Sequence, residues 1–475
     1  MDGISLKEFF EPSSVAVVGA SADPNKIGHA ILRNMVEAGY AGKLFAVNPR
    51  IPEVLGIKTY SSVEELPEPI DLAIVVLPAE LVLSVIRECS RKKVKAAVII
   101  SGGFREVGEK GKELEKALLK TVRETGMRVI GPNCQGINNP RLGLRATFGG
   151  LAKSPGPIGM ISQSGTLGAA IQCWADREGV GISKCVNLGN NIDVNETDLL
   201  QYLKDDKDTK VIVLYIEGVA DGRSFINVAS EVSRIKPVVA LKGGTTKASL
   251  KAVASHTSSL AGNMEIFEAA FRKAGIMRAN SLEELYDVAK AFAFLPLPEG
   301  PGVLIIESTG GAGILASDMC EKLGLKLPEP DENARNKLKQ VLSGFCTFSN
   351  PFDLASEAFT PDRFKLVIEE NMRNDAFHAF ITIFGDPIPD AAEQIRKVVQ
   401  KTTKPVLVSY LGGGEVESRE AARMQALGIP VFPTPDRAVV ALSCLVKYSE
   451  YLRRRIAYDI VPMLSIHDGF VDHTN

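Results

Sequence analysis

The sequence has almost no net charge: 55 Lys and Arg stand against 57 Asp and Glu, a formal balance of -2. No global basic field is therefore present to hold nucleic acid or an anionic membrane. Apolar runs approaching the roughly 18 residues needed to cross a bilayer are absent. The start, Met1-Asp2-Gly3-Ile4-Ser5-Leu6-Lys7-Glu8, lacks both the basic region and the apolar core of a secretory signal. A soluble cytoplasmic protein is expected, and 45% apolar residues argue against disorder. The seven cysteines, at 89, 134, 173, 185, 320, 346 and 444, form no C-x-x-C pair, which argues against a zinc cage or a disulfide framework. Two nucleotide signatures are also missing: G-x-G-x-x-G after the first strand, and G-x-x-x-x-G-K-[ST] anywhere.

What is present is length and a repeated pattern. At about 150 residues per domain, 475 residues make roughly three domains. Short β-branched runs ending in Gly, Ser, Asn or Pro alternate with segments of helix length, the pattern of right-handed βαβ crossovers. A first group of predicted strands covers 14–21, 43–49, 72–78, 96–102 and 127–133, a complete parallel sheet. Their continuous apolar character is expected where helices cover both faces. A stretch rich in Gly, Pro and Arg over 139–157 separates a second group at 158–162, 183–188, 211–218 and 238–243. The segment Pro296-Leu297-Pro298-Glu299-Gly300-Pro301 reads as a linker, since its prolines continue neither a helix nor a central strand. A third group follows at 303–307, 379–384, 406–410 and 431–433.

The first strand runs into Gly19-Ala20-Ser21-Ala22-Asp23-Pro24-Asn25-Lys26-Ile27-Gly28 and then an amphipathic helix. In an open α/β sheet this turn presents backbone N–H groups and a helix N-terminus, both suited to phosphate. A dinucleotide is opposed by the glycine spacing and by the second strand end, Val47-Asn48-Pro49, which offers no acid for a ribose diol. Lys26 suits a ligand of greater negative charge, and a tight turn without a ligand is the alternative. The other strand ends, Val76-Leu77-Pro78, Ser101-Gly102-Gly103-Phe104 and Gly131-Pro132-Asn133-Cys134-Gln135-Gly136, are expected to line one crevice outside the carboxyl edge of the sheet. Cys134 reads either as a nucleophile or, with no His near it in sequence, as a small packed thiol.

In the second group, Ser162-Gln163-Ser164-Gly165-Thr166-Leu167-Gly168 precedes a helix predicted over 169–178. Its hydroxyls serve as caps, or the free N–H groups attract a phosphoryl group; the residues alone leave both open. Further on, Lys242-Gly243-Gly244-Thr245-Thr246 ends a strand, and Ser255-His256-Thr257-Ser258-Ser259-Leu260-Ala261-Gly262 sets one His among small residues. That is the composition of a mobile arm, and at about 3.3 Å per extended residue it would carry His256 on an arc of roughly 20 Å radius from Gly262. An imidazole so carried accepts a group at one site and delivers it at another. An inert lone His is the alternative. His29, His378, His467 and His473 lack such surroundings and are assigned no chemistry. Glu217, at the end of its strand and before Gly218, either orients that imidazole or caps a neighbouring turn.

Taken in order, these segments resemble the α subunit, or α half, of ADP-forming acyl-CoA synthetases of the acetyl-CoA synthetase type, and more distantly the succinyl-CoA synthetase α subunit. The likeness spans nearly the whole chain. It rests on Gly19-Ala20-Ser21 with Pro24 and Lys26, Val47-Asn48-Pro49, Ser101-Gly102-Gly103-Phe104, Gly131-Pro132-Asn133-Cys134, Ile161-Ser162-Gln163-Ser164-Gly165, Tyr215-Ile216-Glu217-Gly218 and Ser255-His256-Thr257.

The resemblance implies an α/β fold of three consecutive units: a Rossmann-like CoA-binding domain over 1–138 and two flavodoxin-like parallel-sheet domains over 139–296 and 301–465. It implies CoA held by Gly19, Ala20, Ser21, Lys26, Val47, Asn48, Pro49, Val76, Leu77, Pro78, Ser101, Gly102 and Gly103, with Asn133 and Cys134 beside the thioester. Phosphate would sit at Ser162, Gln163, Ser164, Gly165 and Thr166, and His256 would be phosphorylated with Glu217 supporting it. One departure is that Ser258 stands where the family's loop has Gly.

ATP would form on an ATP-grasp β subunit in an α2β2 heterotetramer, with Mg²⁺ arriving on ADP, so no metal ligands are expected in this chain. The Gly-rich turn Ser308-Thr309-Gly310-Gly311-Ala312-Gly313 invites a nucleotide, but the resemblance makes the third unit an assembly domain. Two other classes compete: a non-catalytic CoA-binding or regulatory module, which would not need His256 and Glu217, and a nicotinamide dehydrogenase, disfavoured by the missing fingerprint.

Overall fold

Strands whose residues are all apolar bury both faces, and the central strands here do so. The computed structural model describes residues 6–149, 152–246, 249, 264–360 and 362–467, which pack as two units, Met1–Leu285 and Tyr286–Asn475. In the first unit, β1 (Ser14–Val18), β2 (Lys43–Val47), β3 (Glu53–Val54), β4 (Ile57–Tyr60), β5 (Leu72–Val75), β6 (Ala96–Ile99) and β7 (Arg128–Ile130) form one sheet in the order β3-β4-β2-β1-β5-β6-β7. All pairs are parallel except β3 with β4. Counted among themselves the parallel strands run 3-2-1-4-5-6, the Rossmann order, which reverses between β1 and β5. Every residue of β1 is buried. The helix Glu109–Thr125 ends on Gly126 at φ 69°, the left-handed cap that glycine adopts without strain.

The second sheet comprises β8 (Gly136–Asn139), β9 (Leu144–Thr147), β10 (Pro155–Ser162), β11 (Ile182–Asn187), β12 (Val211–Ile216), β13 (Val238–Lys242) and β14 (Met277–Ala279), ordered β14-β13-β12-β10-β11-β8-β9. Its five parallel strands have the flavodoxin order 2-1-3-4-5, with the reversal between β10 and β12. The hairpin β8–β9 joins the β11 edge antiparallel. The stretch 139–157, read from sequence as a separator, thus supplies a strand and part of two others. The polar residues at its start hid this, because their Nδ2 groups find acceptors inside: Asn138 Nδ2 donates to Gln172 Oε1 at 3.0 Å, and Asn139 Nδ2 to Phe10 O at 2.8 Å. Asn34 Nδ2 donates to Thr147 O at 2.7 Å, and the Phe10 ring stacks on Tyr202 at 4.8 Å. The two sheets of this unit are laced together by these contacts.

The second unit holds β15 (Val303–Glu307), β16 (Phe352–Asp353), β17 (Ala379–Phe384), β18 (Val406–Tyr410) and β19 (Val431–Phe432), all parallel, in the order β16-β15-β17-β18-β19. This is the flavodoxin order again. Three of its strands have the bounds read from sequence. Ahead of the prolines, Lys290 Nζ already donates to Val431 O at 2.8 Å and Asp287 pairs with Arg437 at 2.5 Å. Among the described residues no helix is long and apolar enough to cross a membrane.

Candidate functional site

Ligands of open α/β sheets bind outside the carboxyl edge where the strand order reverses. In the first sheet that place, between β1 and β5, opens a cavity of about 860 Å³. Twelve of the residues expected to line it do so: Gly19, Ala20, Ser21, Lys26, Val47, Asn48, Pro49, Val76, Leu77, Pro78, Ser101 and Gly102. The turn is built for close approach. A Cβ on Gly19, at φ 96°, would fall 2.1 Å from Val76 O, and one on Gly28 2.1 Å from Gly19 O, so the helix Ile27–Glu37 begins hard against the strand end. Asn48 Nδ2 donates to Ala20 O at 2.7 Å, and Leu77 N–H to Ser101 Oγ at 3.0 Å, so neighbouring strand ends brace each other. His29, given no chemistry, bonds Ser21 O at 2.9 Å and supports the turn.

The walls also contain residues that sequence reasoning missed. Arg50 follows the Val47–Pro49 turn directly, and Ser61 and Ser62 follow β4, a strand not anticipated. Leu81, Ser84, Val85 and Glu88 line the cavity from the helix Ala79–Arg91, at spacings of three and four that mark one helix face and were legible in principle. Lys26 and Arg50 are exposed cations in the lining of a largely neutral cleft. The arrangement suits a ligand with several phosphates and a long neutral tail.

Gly103, Asn133 and Cys134 do not line this cavity. Gly103 and Asn133 stand just beyond Gly102, whose Cβ would lie 3.3 Å from Asn133 Oδ1. Cys134 is buried, its Sγ bonds Ile99 O at 3.3 Å, and burial pushes the thiol up to about 12. It is the packed thiol of the two readings.

At the reversal of the second sheet, β10 ends on Ser162 and β12 on Ile216, and the next residues meet. Gln163 Oε1 accepts from Glu217 N–H at 2.6 Å and Gly218 N–H at 3.2 Å, while its Nε2 donates to Gly218 O at 2.8 Å. Ser164 caps the helix Gly165–Arg177, its side chain accepting from Leu167 N–H at 3.5 Å, and Ser162 Oγ donates to Ser164 O at 2.5 Å. Thr166 is exposed on the first turn. Ser164 therefore caps, Ser162 braces it, and the first N–H groups of that turn lie at the positive end of the helix.

Glu217 is buried; Oε1 receives only a long bond from Tyr215 OH, 3.5 Å, and Oε2 has no partner among the described residues. A buried carboxylate so poorly satisfied by the described residues is costly. Lys242, at the end of β13, is buried over the Phe267 ring at 4.8 Å; burial pushes its ammonium down against the pull of Glu217. His256 lies outside the described residues.

In the third sheet the reversal lies between β15 and β17. Glu307 ends β15, beside Asp353 in register on β16, and accepts from Thr309 N–H at 2.6 Å. Burial, then the charge of Asp353, push its carboxyl up to about 7.

Residues 13–140 match the family described as a CoA binding domain, 155–292 a succinyl-CoA ligase like flavodoxin domain, and 303–454 a ligase-CoA domain. The chain is 40% identical to the α subunit of the ADP-forming acetate–CoA ligase I of Pyrococcus furiosus over 459 residues, covering 94% of this chain and 98% of that one. It is 32% identical to an ADP-forming 4-hydroxybutyrate–CoA ligase of Nitrosopumilus maritimus, over 93% of this chain and 64% of that one. An acetyl-coenzyme A synthetase 1 from Ca. Korarchaeum cryptofilum, solved in complex with phosphate and ADP, superposes with a TM-score of 0.89 at 37% identity, over 95% of this chain and 99% of that chain.

Proposed function

Since the chain belongs to the family of α subunits of ADP-forming acetate–CoA ligases, we propose that it carries the thioester half of an acyl-CoA synthetase reaction and hands phosphoryl groups to a nucleotide-binding partner. The observation that carries this reading is the cavity at the β1/β5 reversal, whose lining includes twelve of the fifteen residues expected at the coenzyme A site. The phosphates of coenzyme A sit at Lys26, Arg50 and the N-terminus of the helix Ile27–Glu37. The pantetheine runs past Val76–Pro78 and brings the thioester to Ser101–Gly103, near Asn133.

Inorganic phosphate, held at the N-terminus of the helix Gly165–Arg177, attacks the thioester carbonyl. The C–S bond breaks, giving an acyl phosphate and the coenzyme A thiol. An imidazole nitrogen of His256 then takes the phosphoryl group from the acyl phosphate, releasing the carboxylate. Glu217 accepts a hydrogen bond from the other ring nitrogen and stabilises the cationic ring. Helix N–H groups offset the charge that moves with the phosphoryl group, which is the main task of a protein in such transfers.

Phosphohistidine is discharged to ADP on an ATP-grasp β subunit in an α2β2 assembly, where Mg²⁺ arrives with the nucleotide. Residues 1–138, 139–296 and 301–465 are the domains of this scheme, and the cytoplasm is its location. The test is incubation of the chain with labelled acetyl phosphate: acid-labile label is expected on the unsubstituted chain and none on His256→Ala. Label that persists in the variant refutes the assignment.

A further inference from the structure

The loop after β11 crosses to the first sheet. Asn190 N–H donates to Pro132 O at 2.8 Å, Ile192 N–H to Gly131 O at 3.3 Å and Val194 N–H to Val129 O at 3.1 Å, so the loop runs along the end of β7 and beyond it. Asn190 itself is 5% exposed. Its Nδ2 donates to Glu106 Oε2 and to Glu115 Oε2, each at 2.7 Å, and its Oδ1 accepts from Asn133 Nδ2 at 3.2 Å. The Arg105 guanidinium reaches both Asn190 O and Glu115. Two carboxylates thus converge on one neutral amide, and each needs one of its two hydrogens.

Glu106 has a second task. Its Oε1 accepts from Gly103 N–H at 2.6 Å and Phe104 N–H at 3.1 Å, which shapes the turn after β6, with Gly103 at φ 105°. A Cβ on Gly102 would lie 3.3 Å from Glu106 Oε1 and from Asn133 Oδ1 alike. Burial works to raise the Glu106 carboxyl, but the Asn190 amide and the backbone donors outweigh it and hold the group below the usual carboxylate range. A half-buried cluster of two acids and one Arg around a buried amide is a poor way to gain stability, since desolvation offsets much of its attraction. What it does supply is a fixed distance between the cavity rim in the first sheet and a loop of the second.

We infer that Asn190 is a positioning residue for coenzyme A: through Glu106 it fixes the Gly102–Gly103 turn beside Asn133, and so sets where the thiol end of the ligand arrives. This rests on the reading of the cavity as the coenzyme A site. It predicts an effect confined to the pantetheine end, with the phosphate end at Lys26 and Arg50 untouched.

The experiment compares binding of coenzyme A with that of adenosine 3′,5′-bisphosphate, which lacks the pantetheine arm, to the full chain. Asn190→Asp replaces the donor by a third carboxylate against Glu106 and Glu115. Coenzyme A affinity is expected to fall about tenfold or more at neutral pH, the scale of losing hydrogen bonds to charged groups, while the bisphosphate changes less than about twofold. Lowering the pH toward about 5 should restore coenzyme A binding, because like charges raise carboxylate pKa values and a shared proton relieves them. Adding Glu106→Gln to Asn190→Asp exchanges amide and carboxylate across the bond that shapes the turn, the new amide oxygen still accepting from Gly103 and Phe104 N–H, and should restore affinity at neutral pH. Where Asn190→Asp fails to fold, Glu106→Gln, which sets donor against donor at Asn190, carries the same selective loss.

An equal loss for both ligands, an unchanged coenzyme A affinity, or a loss that neither acid nor the exchange repairs overturns the inference. If the unsubstituted chain binds no coenzyme A at all, the reading of the cavity falls first, and the inference with it.

Discussion

Glu217 is held in place by a residue 54 positions earlier in the chain: its backbone N–H donates to Gln163 Oε1 at 2.6 Å, and the same amide binds Gly218 on both its N–H and C=O. The carboxylate is thereby fixed at its root while one of its oxygens stays free of partners among the described residues. Gln163 positions Glu217 by its backbone, and the expected consequence is a division of labour between the two. Gln163→Leu removes three hydrogen bonds to buried or half-buried backbone and should cost about 1–3 kcal/mol of stability. Phosphate incorporation should fall at least about tenfold with coenzyme A affinity unchanged. Thermal melting, labelling and a binding titration distinguish this from a uniform loss of folded protein.

The junction of β1 with its helix should tolerate no side chain. Gly28→Ala puts a Cβ 2.1 Å from Gly19 O, so the helix has to retreat from the turn that faces the cavity. A loss of about 1–3 kcal/mol is expected, with weaker coenzyme A binding. Gly222→Ala is the control, because a Cβ there meets nothing within 4 Å. It should be neutral or stabilising by about 0.4–1 kcal/mol. Equal melting temperatures for the two variants would contradict the close approach.

Alkylation should discriminate sharply between thiols. Cys173 is exposed on the helix Gly165–Arg177, whereas burial pushes Cys134 up to about 12. At about pH 8 the Cys134 thiolate is then of the order of one part in ten thousand. Iodoacetamide should modify Cys173 in the folded chain and leave Cys134 intact until denaturant is added, as mass spectrometry of the peptides would read. Comparable rates at the two sites would rule out the packed thiol.

Glu307 gives the third sheet a pH dependence of defined sign. Its folded pKa lies near about 7 against an ordinary 4.5, raised by burial and by Asp353. A carboxyl with a raised folded pKa favours folding most when both states are protonated, below about 4.5. That contribution is lost as pH rises through about 7, and is worth roughly 1–3 kcal/mol at most. Glu307→Gln should flatten the melting temperature between about pH 5 and 8 relative to the unsubstituted chain. A parallel pair of curves would show that the carboxyl is ionised throughout.

The strands with continuous apolar runs were legible, and β15, β17 and β18 end where the sequence pattern stops. What escaped was structure written in polar letters. The hairpin β8–β9 contains Asn138 and Asn139, which read as loop because an amide's partners lie far away in sequence, at Gln172 and Phe10. The cavity floor was legible for a different reason: Val47 ends a parallel strand, and Gly19, Val76 and Ser101 lie within two residues of the ends of three others, so a single topological rule gathers them. The face of the helix at Ser84 and Glu88 was legible from its spacing, but not what it meets; that contact and the brace at Asn190 obey no such rule. Their roles depend on which face of a helix meets which strand end, and on a loop crossing from another sheet, neither of which local periodicity encodes.

The hairpin β8–β9 has one more implication. Because Thr147 holds Asn34 and Asn139 holds Phe10, any gene fusion or fission that severs the chain near residue 140 parts two halves of a shared scaffold. Residues 6–285 should melt in a single calorimetric step, and evolution would find it easier to graft a new partner after this block than within it.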